Sequence, residues 1–193
     1  MEMLLEKIDV EKSIKSQKVY RKNSFIEKVI DFLMNLLFII VFPFIAFINL
    51  KRSLNIGADI FFPTTLFIIT LLLTISFFYA LLNINKLRKI KGLSPKENKK
   101  IITHIFESLE WQIYRNNIQF TQATLDWNWF SFDYGKEIIV LYENESILIN
   151  CVSYGRGDLK LFTHWFINRK KENEIIKEFE KQIKMKIEKQ TNL

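Results

Sequence analysis

The fold is decided by one uninterrupted apolar stretch, IFFPTTLFIITLLLTISFFYALL, at residues 60–82. Fifteen of its 23 residues are leucine, isoleucine or phenylalanine, and none carries a charge. A helix needs about 20 predominantly apolar residues to cross the hydrocarbon core of a bilayer. Together these side chains favour insertion by roughly 5–9 kcal/mol, an upper estimate because residues near the ends of a span contribute less. The stretch therefore predicts a transmembrane helix.

Another apolar stretch lies earlier in the chain, at about residues 32–50, and it also contains no charged residue. The two are joined by a short link in which Asn55 and Gly57 are typical turn residues. This arrangement predicts a transmembrane helical hairpin within residues 25–85. The alternative is a buried hairpin in a soluble protein. It is disfavoured because a chain of 193 residues is too small to enclose two helices that are apolar on all sides.

Basic residues are concentrated on the outer flanks of this hairpin. The link carries Lys51 and Arg52, whereas the juxtamembrane stretch 86–100 carries seven bases against one acid, Glu97. Basic flanks stay in the cytoplasm, so we expect an inner-membrane protein with both termini cytoplasmic. Because residues 1–24 are polar, no cleavable signal peptide is expected. The basic stretch is also expected to contact anionic lipid headgroups through Lys86, Arg88, Lys89, Lys91, Lys96, Lys99 and Lys100.

The sequence of residues 94–193 predicts a cytoplasmic α+β domain that begins with a helix. Ser94 and Pro95, followed by Glu97, have the spacing of a capped helix start. This helix is expected to end near residues 111–117, where two asparagines indicate a turn.

The rest of that domain predicts strands and a closing helix. Residues 136–153 contain two β-branched runs separated by a turn at 143–146, which indicates a β-hairpin. The final helix is expected over about residues 169–189. The predicted order is a helix, an antiparallel sheet of three to five strands covered on one face by helices, and a helix.

Residues 1–24 form a polar cytoplasmic segment of mixed charge with few apolar positions. Three arrangements remain open for it. It lies on lipid as a surface helix, pairs with the α+β domain, or is disordered.

The sequence contains no pattern that indicates catalysis, a metal or a cofactor. Cys151 is the single cysteine, and His104 and His164 have no partner at metal-ligand spacing. The tripeptide Arg156-Gly157-Asp158 is interpreted as a tight turn. We therefore predict a chain that is not an enzyme and has no cofactor. A hydrolytic carboxylate pair would require convergence in a cleft of two among Asp126, Asp133, Glu137 and Asp158.

Two aromatic clusters are candidates for a binding surface. Aromatic side chains beside bases occur at membrane interfaces and at protein interfaces; the alternative is that they fill the core. Nucleic acid is not expected, because acids and bases nearly cancel beyond residue 100. The first cluster comprises Trp127, Trp129, Phe130, Phe132 and Tyr134. The second, our candidate interface, comprises Phe162, Trp165, Phe166, Arg169 and Lys170.

Several runs of the domain resemble a known group of proteins. The hairpin of spans followed by strands and a helix is similar to small bacterial two-pass membrane proteins, and distantly to YcxB-like and bacterial PH-like architectures. A plain PH-like domain does not begin with a helix such as the one at Ser94. The resemblance implies a fold and a topology but no activity. It is carried by Glu137–Tyr142, Ile147–Cys151, Ser153–Arg156, His164–Phe166 and Asn168–Lys171.

From these features the sequence favours a membrane-anchored, non-enzymatic interaction or regulatory module. Its expected partners are the lipid bilayer and either a protein or a second copy of the chain. One alternative is an immunity or defence protein of the membrane whose soluble domain senses a ligand or toxin. Another is an enzyme that acts at the membrane surface.

Overall fold

The computed structural model describes residues 8–22, 25–126, 135–155 and 160–191. The chain divides into two compact units, one formed by residues 23–84 and one that combines residues up to 22 with residues 85–193.

The first unit is a pair of long apolar helices, α2 (Phe25–Asn55) and α3 (Phe61–Asn83). Both are long and apolar enough to cross a membrane. Only 11% and 6% of their most apolar segments are buried, so most of their leucine, isoleucine and phenylalanine side chains are exposed. The hydroxyls of Thr65, Thr70 and Thr74 donate to backbone carbonyls of their own helix.

The second unit contains a five-stranded antiparallel sheet with helices, which confirms the α+β architecture. The strands are β1 (Arg88–Lys91), β2 (Gln112–Asn116), β3 (Phe120–Leu125), β4 (Lys136–Glu143) and β5 (Ser146–Ser153). Their spatial order is β1-β5-β4-β3-β2.

The predicted hairpin at residues 136–153 forms the centre of this sheet. Strands β4 and β5 pair along their whole length, from Lys136 opposite Ser153 to Glu143 opposite Ser146. Asn144 has a φ of +45°, which suits the left-handed geometry of a two-residue hairpin turn. Nearly every residue of both strands is buried, because both faces of the sheet are covered.

Strand β1 was not predicted, since its sequence, RKIK, is three-quarters basic. It pairs with β5 at the edge of the sheet. Lysines are common on edge strands because they discourage further pairing. The domain therefore starts with a strand before the helix, and the order that we predicted is incomplete.

Helix α4 (Pro95–Ser108) begins where the sequence predicts, with Ser94 as the N-cap residue. The Ser94 hydroxyl donates to the Glu97 carboxylate at 2.9 Å and accepts no backbone N–H of the first turn, so the side-chain cap that the spacing predicts is not formed. The predicted end near residues 111–117 is wrong. The helix stops at Ser108 because Glu110 adopts a left-handed φ of +59°, after which β2 pairs with β3.

Helix α5 (Trp165–Thr191) follows a short 3₁₀ turn at Phe162–His164 and starts four residues earlier than predicted. With α4 it covers one face of the sheet, which we call the helix face. Its buried apolar positions are Ile175, Ile176 and Phe179. They share a core with α4 and alternate positions of β4 and β5, including Ile102, Phe106, Ile138, Val140, Ile147, Ile149 and Cys151.

Residues 8–22, which we call the strap, cover the opposite face of the sheet, the strap face. The strap contains a short helix, α1 (Val10–Ser16), and its ends meet where Ile8 pairs with Arg21. It also pairs, through Lys18 and Lys86, with the segment that precedes β1. Of the three open arrangements, the structure has the pairing with the α+β domain. The apolar residues buried here are Ile8, Val19, Leu87, Phe120, Ile139, Leu141 and Leu148.

Candidate functional site

The start of α5 divides the predicted aromatic interface into buried and exposed parts. Phe162 is only 4% exposed, so it belongs to the interior and not to a contact surface. The exposed apolar residues are Phe166 at 59% and Ile167 at 46%. The Trp165 ring supports Phe166 edge-on, with centroids 4.9 Å apart. One turn further, Lys170 is exposed as well. This leaves an apolar pair with a basic neighbour at the surface.

Arg169 fixes this surface to the rest of the unit. Its guanidinium lies 5.3 Å from the centroid of the Trp165 ring. It pairs with Glu172 and donates to the Lys86 carbonyl at 3.3 Å. Arg169 is therefore a positioning residue, which holds α5 against the segment through which the chain leaves α3.

Glu172 is the acid at the centre of these contacts. Its carboxylate accepts the Cys151 N–H at 2.9 Å, beyond the point where β1 stops pairing with β5. It therefore covers a short open edge of the sheet. Burial raises the pKa of Glu172, and the charge of Arg169 opposes that shift in pKa. A second arginine, Arg88, lies 3.6 Å away.

The seven bases of residues 86–100 do not form one continuous surface. Strand β1 directs them alternately to its two faces, where Arg88 bonds Asn173 at 2.6 Å and Lys89 pairs with Glu143 at 2.6 Å. The exposed bases of the strand segment are Lys86, Lys89 and Lys91. The other bases, Lys96, Lys99 and Lys100, lie on α4. Lipid contact by the whole stretch stays a prediction, with Arg88 already engaged within the unit.

The basic stretch extends along α5 from near its start, at Lys86, to near its end, at Lys91 and Glu97. Arg169 contacts Lys86 near the start of this helix, and Lys186 contacts Glu97 near its end. At 1.5 Å per residue, these two contacts are roughly 25 Å apart along the helix. The lysines of α4 are therefore well separated from the aromatic surface.

A buried polar cluster connects the strap to the sheet, and our sequence analysis missed it. The carboxylate of Glu137 accepts from Arg21, from the Tyr154 hydroxyl and from Gln122 Nε2, the last at 2.6 Å. Arg21 also donates to the Tyr154 hydroxyl at 2.9 Å. A signal was present, because Glu137 is an acid directly beside the apolar run at residues 138–141 of β4. Its partners are distant in sequence, which is why they could not be identified.

The remaining candidates do not assemble into a catalytic centre in the described parts of the chain. Asp126 accepts from Gln112 at 2.7 Å, away from the Glu137 cluster. His104 is exposed on α4, and Cys151 is buried in the core. Among the described residues, no three His, Cys, Asp or Glu side chains converge as metal ligands do. The aromatic cluster at 127–134, Asp133 and the Arg156-Gly157-Asp158 tripeptide lie outside the described residues.

Comparison with models of protein families, with curated proteins and with solved structures finds no match. The resemblance to YcxB-like and PH-like architectures accordingly stays a prediction.

Proposed function

We propose that the chain is a membrane-anchored, non-enzymatic interaction module. In this proposal α2 and α3 cross the inner membrane as a hairpin, and the α+β unit presents a binding surface in the cytoplasm. The exposed apolar side chains of both helices support insertion, because such a surface is unfavourable in water and favourable in lipid.

The observation that carries the proposal is the joint construction of the α+β unit by both flanks of the hairpin. The strap precedes α2 and the rest of the unit follows α3, yet they share a core and the Arg21–Glu137 pair. Such a unit forms only if both flanks are on one side of the membrane. A chain that crosses twice meets this requirement, and the excess of bases on both flanks favours the cytoplasmic side.

The surface proposed to bind a partner is the exposed pair Phe166 and Ile167 with Lys170. Large apolar and aromatic side chains at the centre of a patch, with charged neighbours at its rim, are typical of protein interfaces. Arg169 and Trp165 hold this patch in place, so little conformational entropy is lost on binding.

Site-specific photo-cross-linking in native membranes tests this proposal. The photoreactive amino acid p-benzoylphenylalanine replaces Phe166 in the full-length protein. The matched control places it at Tyr114, an aromatic residue of β2 that is 46% exposed. We expect a discrete protein adduct from position 166 that is absent at position 114 and weakened by Lys170→Glu.

Identical adducts at both positions, or only lipid adducts at position 166, would contradict the proposed partner surface. An adduct between two copies of the chain would identify self-association as the interaction.

A further inference from the structure

A groove of about 510 Å³ lies between the exposed face of α4 and the turn that joins β2 to β3. It shares no lining residue with the patch formed by Phe166, Ile167 and Lys170 at the start of α5. Its volume is within the range of small-molecule sites, about 300–1,000 Å³. It is lined by Lys96, Lys99, Lys100, Thr103, His104, Glu107, Asn116 and Ile118.

The floor of this groove is a connected set of hydrogen bonds. The Asn116 amide donates to the Thr103 hydroxyl and accepts from the Thr121 hydroxyl, both at 3.0 Å. Lys99 Nζ donates to the Asn116 carbonyl at 3.3 Å. An ammonium group has three donors, so Lys99 is held at the groove with two donors not used by this bond.

One wall of the groove is apolar and has a fixed shape. The Asn117 side-chain oxygen accepts from the backbone N–H groups of Gln119 and Phe120, at 2.9 and 2.8 Å. This Asx turn presents Ile118, whose side chain is 58% exposed.

The charge of the groove is positive. Lys96, Lys99 and Lys100 are spaced three and four residues apart, so they share one helical face. Among the described residues of the lining, Glu107 is the single acid. The neighbouring Glu97 is engaged by Lys186 and by Ser94. The described lining therefore carries three lysines against one carboxylate, an excess of positive charge that favours an anion.

We infer that this groove binds a phosphate group, with the substituent of that phosphate packed against Ile118. Lysine ammonium groups act as point-charge ligands for phosphate, and the apolar wall selects phosphates that carry a hydrocarbon or ring substituent. Two sources share this chemistry, a soluble phosphate ester and the headgroup of an anionic lipid.

The test uses full-length protein in nanodiscs of zwitterionic phosphatidylcholine, at one low ionic strength. Two probes are titrated separately, the nucleotide AMP and the soluble lipid dihexanoyl-phosphatidylglycerol. Binding is followed by amide chemical-shift changes at Thr103, His104 and Asn116.

The variant that removes the site is Lys99→Gln with Lys100→Gln. The matched control is Lys177→Gln with Lys184→Gln, which removes the same charge from exposed positions of α5. Loss of charge-assisted bonds to phosphate is expected to weaken binding by about tenfold or more. The control variant is expected to weaken binding by less than about twofold. Replacement of Lys99 by arginine is expected to retain binding.

Binding of AMP alone would assign a soluble ester, and binding of the short-chain lipid alone would assign a headgroup; each supports the site. The inference is overturned if neither probe shifts these amides, or if the two double variants weaken binding equally. None of these outcomes depends on the partner surface at Phe166.

Discussion

The two faces of the sheet are buried in different ways. The helix face is closed by α4 and α5, which belong to the same continuous segment as the strands, and its core is aliphatic and aromatic. The strap face is closed by residues from the other side of the apolar hairpin and combines a smaller apolar cluster with the Arg21–Glu137 pair. The helix-face core is therefore built entirely from residues within 85–193, whereas the strap-face core includes Ile8 and Val19 of the strap.

The two faces also differ in what should happen when a contact is lost. Loss of packing on the helix face removes the larger core and should destabilise the whole unit. Loss of a contact on the strap face should release the strap first, because that segment is held by few contacts and by the buried ion pair.

The largest effect is expected for Phe106→Ala on the helix face. Phe106 is fully buried among α4, α5 and the sheet, and truncation of a buried phenylalanine costs about 3–5 kcal/mol. The free energy of unfolding can be measured in micelles by urea-dependent labelling of Cys151, which is 3% exposed.

Phe166→Ala, at an exposed position, is the control and should change this free energy by less than about 0.5 kcal/mol. Equal losses for the two variants would mean that α4 and α5 do not form the core described above.

The next effect is expected for Glu137→Gln on the strap face. Glutamine keeps the shape of the side chain but leaves the buried Arg21 without its opposite charge, and a hydrogen bond to a charged group contributes roughly 1.5–3 kcal/mol. Hydrogen exchange should accelerate at the amides of Val19 and Leu87, which bond across the strap contact.

The amides of the β4–β5 hairpin are the internal reference and should remain protected in that variant. If they exchange as fast as Val19, the two faces unfold together and the distinction between them fails.

A smaller effect, about 1 kcal/mol, is expected for Asp9→Ala, which removes the N-cap of α1. The Asp9 carboxylate accepts from the Lys12 N–H at 3.1 Å. Faster exchange of the Lys12 and Val19 amides would report the change. Glu11→Ala, an exposed residue of the same helix, is the matched control; an equal effect of that variant would exclude capping as the cause.

The smallest expected effect is a pH dependence of the free energy of unfolding that arises from Glu172 on the helix face. Burial raises the pKa of Glu172 above its ordinary value of 4.5, so the folded unit holds this proton more tightly than the unfolded chain. Its contribution to stability is complete below that value and is lost as pH rises through the folded pKa. Wild-type protein should therefore gain stability relative to Glu172→Gln as the pH falls from 7.

Glu97, on α4 at the same face of the sheet, should give a pH dependence of stability with the opposite sign. The hydrogen bond from Lys186 lowers the pKa of Glu97, so its contribution is present above 4.5 and is lost as pH falls through the folded pKa. Relative to Glu97→Gln, wild-type protein should lose stability on acidification. Urea titrations at a series of pH values compare the two variants, and equal signs would contradict the assignment.

Local features of this chain were predictable and distant pairings were not. The two apolar helices, the start of α4 at Pro95 and the hairpin at 136–153 each depend on residues that are neighbours in sequence. The strap could not be placed, because its partners follow the whole helical hairpin. Strand β1 was not predicted because it contains a single inward-facing apolar residue, Ile90. One such residue does not produce the alternation of apolar and polar positions that indicates a strand.

The candidate site was predictable to a similar extent. The aromatic and basic composition at residues 162–170 indicated an interface, but the burial of Phe162 and the structural use of Arg169 depend on how α5 packs. The groove at α4 combines lysines of one segment with the turn at Ile118, and composition alone does not bring these together.

The most direct test of the central claim is labelling of single cysteines in right-side-out membrane vesicles with a membrane-impermeant maleimide. With Cys151 replaced by alanine, cysteine is introduced separately by Glu11→Cys in the strap, Asn55→Cys in the link and Lys177→Cys in α5. The account predicts that only the Asn55→Cys variant reacts before detergent is added. Reaction of the Glu11→Cys variant without detergent, with the Lys177→Cys variant protected, would place the two flanks on opposite sides of the membrane and contradict it.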